Sequence, residues 1–290
     1  MGSSCTLCPR RCISRPGFCG AGDKLKIFRY GPHFGEEPPI TGKNGSGCVF
    51  FSHCTMKCVY CQNSPWSWCG EGEEKTPEDL VGIFRKLALE DNVENFNLVS
   101  PTPYLPFIER ALEILEKEGV RLPVVWNSSG YESVETLERY KRLCDHALFD
   151  LRYSTSESAY RYSKTEDYVY HARAALKWAF RHTQGRSYGL IVRLLVLPSL
   201  AEEAVENLKW IARELGNETP VSIMAQYTPA YKAKDIPPLD RALTKEEYER
   251  VVDASSDLGF ENGWIQDFAA SDPSLALLGE NMPSDYGAVR

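Results

Sequence analysis

The sequence lacks any run of about 18 consecutive apolar residues, and it does not begin with a charged segment followed by an apolar one. A membrane-spanning helix needs the first feature and a secretory leader needs the second, so we expect neither membrane insertion nor secretion but a cytoplasmic protein. A long basic run is also missing, and the net charge is −7. Nucleic acid is therefore not an expected partner.

We find no internal repeat and no low-complexity segment. The 290 residues, of which 43% are hydrophobic, suffice for one large α/β domain of the barrel kind with small additions. In a reducing cytoplasm, clustered cysteines indicate metal ligands before disulfides. Seven of the ten cysteines fall into two tight groups, while three stand apart, and of these Cys144 is expected to be a core thiol. The three are Cys48, Cys69 and Cys144.

The first group, Cys54, Cys58 and Cys61, has the spacing C-x3-C-x2-C. Thiolates are the usual ligands of iron–sulfur clusters, and three of them leave one iron of a four-iron cluster without a protein ligand. An open coordination position marks a site that performs chemistry. The alternatives are a zinc site completed by His53 or three unrelated buried thiols, although C-x3-C-x2-C is not a standard zinc spacing.

The second group lies at the N-terminus and contains Cys5, Cys8, Cys12 and Cys19. Four thiolates are a complete ligand set for either zinc or a [4Fe–4S] cluster, and the spacing C-x2-C-x3-C-x6-C does not decide between them. Its compactness favours iron–sulfur slightly. We expect this second metal centre to be structural or electron-relaying.

Short apolar runs alternate with helical patterns from Cys48 onward, which is typical of parallel strands buried on both faces. The expected strands are 48–51, 96–100, 123–128, 146–151, 189–197 and 221–227. The expected helices follow Thr76 and Ser133, occupy 104–118 and 166–182, and begin at capping boxes starting at Ser199 and Thr244. This pattern predicts a partial, right-handed (β/α)6 barrel of the TIM-like kind. The expected parts are a Cys-rich metal-binding segment (1–22), an irregular connector (23–47), the barrel (48–268) and a tail (269–290).

Polar residues end most of these apolar runs, and reactive groups of such barrels lie at the carboxyl ends of the strands. Arg193 interrupts a buried run and needs an anionic partner. That partner is either Asp150 or a bound carboxylate or ribose. In the connector, Glu36 and Glu37 are adjacent carboxylates that either act near the site with His33 or are solvated. The other polar strand ends are Ser100, Thr102, Asn127, Ser128, Ser129, Arg152 and Gln226.

The sequence resembles the radical S-adenosylmethionine (SAM) enzymes, in the branch related to the pyruvate formate-lyase activating enzyme. The resemblance runs from about Cys5 to Gln266 and rests on CxLCPRxC, HFGEEPPI, GSGCVFF, CVYCQN, NLVSPTPY, NSSGYE, RLLVLP and ENGWIQ. It implies a [4Fe–4S] cluster chelated by SAM, a 5′-deoxyadenosyl radical and Tyr60 lying against the adenine. The activating enzymes generally lack the N-terminal four-cysteine group.

The resemblance also implies roles for the strand-end residues. Ser100 and Thr102 replace the Gly-Gly-Glu stretch near the SAM amino group. Asn127 and Ser129 match the strand end that faces ribose or a monovalent cation. The remaining two matches are Asp150-Leu-Arg152, in place of a catalytic Asp-Leu-Lys motif, and Arg193, in place of the arginine of an Arg-x-x-Val-x-Pro strand that contacts the cofactor.

The function expected from this resemblance is hydrogen abstraction from a polypeptide, such as a glycyl-radical partner, with a one-electron donor such as flavodoxin or ferredoxin. A small-molecule substrate is the alternative within enzymes. A non-catalytic iron–sulfur electron-transfer or interaction protein is the alternative from another class, but a carrier needs neither an open iron nor polar strand ends.

Overall fold

A computed structural model describes residues 4–271 of the chain. Among these residues, one sheet of nine strands forms in the order β3-β1-β2-β4-β5-β6-β7-β8-β9. The strands are β1 Leu25–His33, β2 Ser46–Phe51, β3 Glu73–Lys75, β4 Phe96–Val99, β5 Val124–Ser128, β6 His146–Asp150, β7 Leu190–Leu195, β8 Val221–Met224 and β9 Gly263–Ile265.

Seven of these strands, β2 and β4 to β9, pair in parallel, as buried apolar runs predict. All six expected strands are present, and the parallel sheet with intervening helices confirms the partial TIM-like barrel. The helices are α1 Pro38–Thr41, α2 Ser64–Ser67, α3 Pro77–Leu89, α4 Leu105–Lys117, α5 Val134–Arg139, α6 Ser156–Ser163, α7 Tyr168–His182, α8 Ala201–Glu214 and α9 Lys245–Asp257. β3 and β9 are the edges, so the barrel stays open on one side.

Part of the expected irregular connector is regular. β1 forms despite Gly31 and Pro32 because it pairs antiparallel with β2, from Ile27 opposite Phe51 to His33 opposite Ser46. The expectation of an irregular chain over 31–47 was therefore wrong for these residues. Local breakers predict the connector, but the strand is stabilised by pairing with distant residues.

The two expected capping boxes differ in outcome. Thr244 and Glu247 form the reciprocal bonds at the start of α9, as predicted. The prediction of a capping box at Ser199 was wrong, because α8 begins at Ala201 and its N-cap residue, Leu200, makes no side-chain cap. Ser199 instead takes a positive φ of 61°, and its backbone N–H donates to Glu247 Oε1 at 2.7 Å.

The barrel interior has an apolar floor with a polar layer above it. Ile40 of α1 packs there against Val125, Leu148 and Ile191. Two residues further along the same strands lie Asn127, Asp150 and Arg193, which face the same interior because side chains alternate along a strand. Helix α1 thus closes the bottom of the barrel and leaves the polar layer facing the strand ends.

No helix within residues 4–271 has the length and apolar character needed to span a bilayer. Cys144 is buried, as expected of a core thiol. The expected C-terminal tail, 269–290, lies almost wholly outside the described residues.

Candidate active site

The loop after β2 carries Cys54, Cys58 and Cys61. Cys58 is 5% exposed, the other two are half-buried, and all are free thiols. The loop is anchored to the barrel from two sides, because the N–H of Val59 donates to the carbonyl of Tyr162 at 2.8 Å, and Trp68 Nε1 donates to the carbonyl of Cys58 at 2.9 Å. The three sulfurs therefore lie at the carboxyl end of a parallel sheet, where the sequence predicted a reactive site.

Hydroxyl groups point at two of these sulfurs. Ser163 Oγ donates to Cys58 Sγ at 3.0 Å, and Ser67 Oγ lies 3.1 Å from Cys61 Sγ. Behind Ser163, the hydroxyl of Tyr153 is 2.6 Å from its Oγ. Tyr60 OH is in turn 2.8 Å from Tyr153 OH. The expected adenine residue, Tyr60, thus joins a buried chain of hydroxyls that ends on the thiol of Cys58.

The thiols fit a polynuclear metal centre. Burial raises the pKa of Cys61 to about 12 and also raises the pKa of Cys54, so a bound metal is what would hold them as thiolates. Within residues 4–271, no three His, Cys, Asp or Glu side chains are placed to hold one metal ion. Ligands of a cluster bind different irons and need not converge on one point.

Arg152 and Asp150 lie beside this loop. Arg152 Nη2 and Asp150 Oδ2 are 2.5 Å apart, and the buried Nε of Arg152 has no partner among the described residues. The positive charge of Arg152 opposes the effect of burial on the pKa of Cys54 and Cys61. The expected catalytic pair is thus close to the cluster thiols, with one guanidinium N–H left for a ligand.

Arg193 is paired differently from the sequence expectation. Its Nε and Nη2 donate to the two carboxylate oxygens of Glu37 at 2.8 and 2.6 Å, and Nη2 also donates to Glu36. The expectation that Asp150 is the hydrogen-bond partner of Arg193 was wrong, because Asp150 pairs with Arg152. The view of Glu36 and Glu37 as solvated was also wrong, since their side chains are only 7% and 5% exposed.

Asn127 belongs to the same polar layer. Its Nδ2 donates to Glu36 Oε1 at 3.4 Å, and Asn97 Nδ2 donates to the same oxygen at 3.0 Å. The expected ribose or cation residue therefore faces Glu36 from inside the barrel. Ser129, the second such residue, accepts a hydrogen bond through its carbonyl from Tyr168 OH at 2.9 Å.

The end of β4 is followed by Ser100 and Thr102. Ser100 has a φ of +58°, a conformation that favours glycine, at the place where the resemblance has a Gly-Gly-Glu stretch. Thr102 donates from Oγ1 to Glu132 Oε1 at 2.6 Å and lines a cavity with the N-terminal cysteines. The structure thus places Thr102 beside the N-terminal cysteines.

Glu132 was not singled out from the sequence. Its carboxyl is 1% exposed, its Oε2 has no partner among the described residues, and burial raises its pKa to about 7. Its only signal was its position soon after an apolar strand, in NSSGYE. Glu36 and Glu37 had been noticed, but nothing in the connector showed that they would be buried.

The fold and the thiol loop are those that the sequence led us to expect of a SAM-dependent radical enzyme. Residues 48–211 match the Radical SAM superfamily, and the chain belongs to it. An uncharacterized protein of Methanocaldococcus jannaschii, MJ0674, is 31% identical over 269 residues, which cover 86% of this chain and 73% of that protein.

Two solved structures share the fold with a TM-score of 0.50 each. SuiB of Streptococcus suis, bound to S-adenosylmethionine, is 13% identical over 76% of this chain and 50% of its own. The protein anSMEcpe with bound AdoMet is 12% identical over 72% of this chain and 58% of its own. The chain thus spans about half the length of these proteins, and at such identities the likeness shows the fold alone.

Proposed function

We propose that this chain is a radical SAM enzyme whose cluster is held by Cys54, Cys58 and Cys61. The observation that carries the proposal is the placement of three free thiols, two with hydroxyl groups aimed at them, at the strand ends beside Arg152. When bound, the reduced cluster supplies the electron that cleaves SAM into methionine and a 5′-deoxyadenosyl radical. A flavodoxin- or ferredoxin-type donor would deliver that electron.

The protein's own residues orient the cofactor and hold the thiolates. Arg152 has a free N–H in a buried position, so it can donate to a carboxylate or ribose oxygen of SAM. Asp150 fixes the guanidinium by the 2.5 Å contact. Tyr60 lies within the cluster loop, and the resemblance implies that this residue lies against the adenine. Asn127, Ser129 and Ser100 lie at or just after strand ends and would supply further polar contacts to the cofactor.

The substrate that we propose is a polypeptide. The support is the resemblance to the activating enzymes and the open edge between β3 and β9, since an unclosed barrel can admit a chain segment from the side. SuiB has also been solved with the precursor peptide SuiA, but that peptide is a partner of SuiB.

Fractionation of a lysate tests the substrate class. The reduced, reconstituted protein is incubated with SAM and either the macromolecular or the low-molecular-weight fraction, and 5′-deoxyadenosine is quantified. We expect the macromolecular fraction to raise its release and protease treatment to abolish the rise. Stimulation by the small-molecule fraction alone would favour small-molecule modification instead. If neither fraction accelerates release, the polypeptide proposal is wrong.

A further inference from the structure

The four N-terminal cysteines, which the radical SAM match does not include, form one site. Together they line a cavity, and none is in a disulfide. The rest of its lining comes from Arg10, Thr55, Thr102 and Pro103 and from neighbouring residues of the segment. Thr55 directly follows Cys54, so this cavity borders the cluster loop of the proposed active site.

Backbone N–H groups point at the sulfurs of this cavity. The N–H of Phe18 lies 3.4 Å from Cys12 Sγ, and that of Ala21 lies 3.4 Å from Cys19 Sγ. Such donors stabilise the thiolate form, which is the form that binds metal. The segment is therefore shaped as a ligand cradle rather than as a tail with free thiols.

Gly17 shows how tightly the chain wraps the sulfurs. A Cβ at this position would lie 2.6 Å from Cys12 Sγ, so no other residue fits unless the thiol moves. By contrast, a Cβ at Gly22 in the same segment would meet no heavy atom within 4 Å. The two glycines therefore provide a matched pair for testing whether the position of Cys12 matters.

The N-terminal segment is fixed against the active-site loop. Arg10 Nε donates to the carbonyl of Thr55 at 2.7 Å, and Nη2 donates to Thr165 Oγ1 at 2.5 Å. The same guanidinium lies 3.5 Å from the centre of the Phe18 ring. Lys57, which lies between two cluster cysteines, is 5.6 Å from that ring. The segment thus contacts the loop between Cys54 and Cys58 directly.

We infer that Cys5, Cys8, Cys12 and Cys19 bind a second [4Fe–4S] cluster that passes electrons to the active site. Soft thiolates select zinc or iron–sulfur centres, and the compact spacing C-x2-C-x3-C-x6-C favours iron–sulfur. Four thiolates leave no open position, so this cluster stores an electron and binds no SAM. The electron-passing part rests on the proposed function. A flavin or iron–sulfur donor would lose one electron to the second cluster. The second cluster would then pass this electron to the cluster held by Cys54, Cys58 and Cys61.

Metal analysis tests the site without any need for SAM cleavage. The variant Cys54→Ala/Cys58→Ala/Cys61→Ala, reconstituted without oxygen, should hold about four irons and no zinc, with the electron paramagnetic resonance signal of a reduced cluster. In that background Gly17→Ala should lose most of the iron, and Gly22→Ala should retain it. One zinc per chain, no metal, or equal iron in the two glycine variants would overturn the site.

Proteins that keep Cys54, Cys58 and Cys61 provide a second measurement in case the triple variant does not fold. Wild type should bind about eight irons and Cys5→Ala/Cys12→Ala about four. In this double variant, SAM cleavage driven by reduced flavodoxin should fall more than tenfold, whereas dithionite-driven cleavage should change less than threefold. Equal losses with both reductants would contradict the electron-passing role. Absence of cleavage by wild type with dithionite would refute the proposed function and leave the metal site standing.

Discussion

The guanidinium of Arg193 donates two hydrogen bonds to the carboxylate of Glu37, from Nε to Oε1 at 2.8 Å and from Nη2 to Oε2 at 2.6 Å. These two residues are 156 positions apart in the chain. The contact joins the segment that closes the barrel floor to the centre of β7. Arg193 is therefore held in a structural pair, and of these two arginines Arg152 is the one with a buried donor left for a ligand.

Arg193→Leu should destabilise the protein strongly. The substitution leaves the buried carboxylates of Glu36 and Glu37 without their cation, and breaking a buried pair in this way costs about 3–5 kcal/mol. Chemical denaturation at pH 7 measures the loss in the free energy of unfolding. Adding Glu36→Gln and Glu37→Gln should restore part of the stability, whereas adding Asp150→Asn should not. Rescue by Asp150→Asn alone would contradict the pairing.

The same substitution should be less harmful in acid. Burial raises the pKa of Glu37, but the charge and hydrogen bonds of Arg193 lower it further, so the net pKa lies below 4.5. This pair thus contributes stability above pH 4.5 that is lost as the pH falls through the lower folded value. The difference between wild type and Arg193→Leu should shrink over that acidic range. A difference independent of pH would argue against ionised carboxylates.

The barrel was predictable from the sequence because its strands are short, continuous apolar runs between amphipathic helices. The environment of Glu36 and Glu37 was not, because it depends on contacts with β4, β5 and β7. Helix α6 was missed since its residues include three serines, which are weak helix formers, and packing rather than propensity stabilises it. The short edge strands β3 and β9 likewise depend on their neighbours for pairing.

Ser163→Ala should lower the reduction potential of the cluster without preventing its assembly. The hydroxyl of Ser163 donates to Cys58 Sγ at 3.0 Å, and hydrogen bonds to cluster sulfurs help set the potential. Loss of this hydrogen bond leaves more electron density on the sulfur, so the cluster becomes harder to reduce. A redox titration followed by electron paramagnetic resonance measures the shift. Ser156→Ala, at an exposed position in α6, is the control and should leave the potential unchanged. Identical potentials in the two variants would refute this role.

Glu247→Gln should lower the free energy of unfolding by about 1–2 kcal/mol at pH 7, within the range of lost helix caps. Hydrogen bonds from Arg241 and from the backbone of Thr244 and Ser199 lower the pKa of Glu247 to about 2 against the effect of burial. Its contribution is therefore present above pH 4.5 and is lost as the pH falls through about 2. Denaturation curves from pH 7 to pH 2 should show the two proteins converging.

The control for this substitution is Glu249→Gln, which removes an exposed pair with Lys245 at 3.3 Å. An exposed i, i+4 pair contributes about 0.3–0.5 kcal/mol, so this variant should remain close to wild type. Equal effects of the two substitutions would mean that the tie between the Ser199 loop and α9 adds no stability.

The candidate site was predictable where its chemistry is local in the sequence. The spacing alone predicts Cys54, Cys58 and Cys61 as cluster ligands, and a single loop after β2 holds all three. Ser163 and Glu132 were not predictable as site neighbours, since one lies 105 residues from Cys58 and acts through a single hydroxyl. The other is a lone carboxyl whose burial only the folded chain reveals.

Reductive cleavage of SAM tests the central claim most directly. The reconstituted, reduced protein is incubated with SAM, and 5′-deoxyadenosine and methionine are quantified by chromatography. Wild type and Cys69→Ala, whose exposed thiol lies outside both cysteine groups, should release both products. The variant Cys54→Ala/Cys58→Ala/Cys61→Ala should release neither. Release of 5′-deoxyadenosine by that variant at the wild-type rate would contradict the assignment of the cluster to these three cysteines.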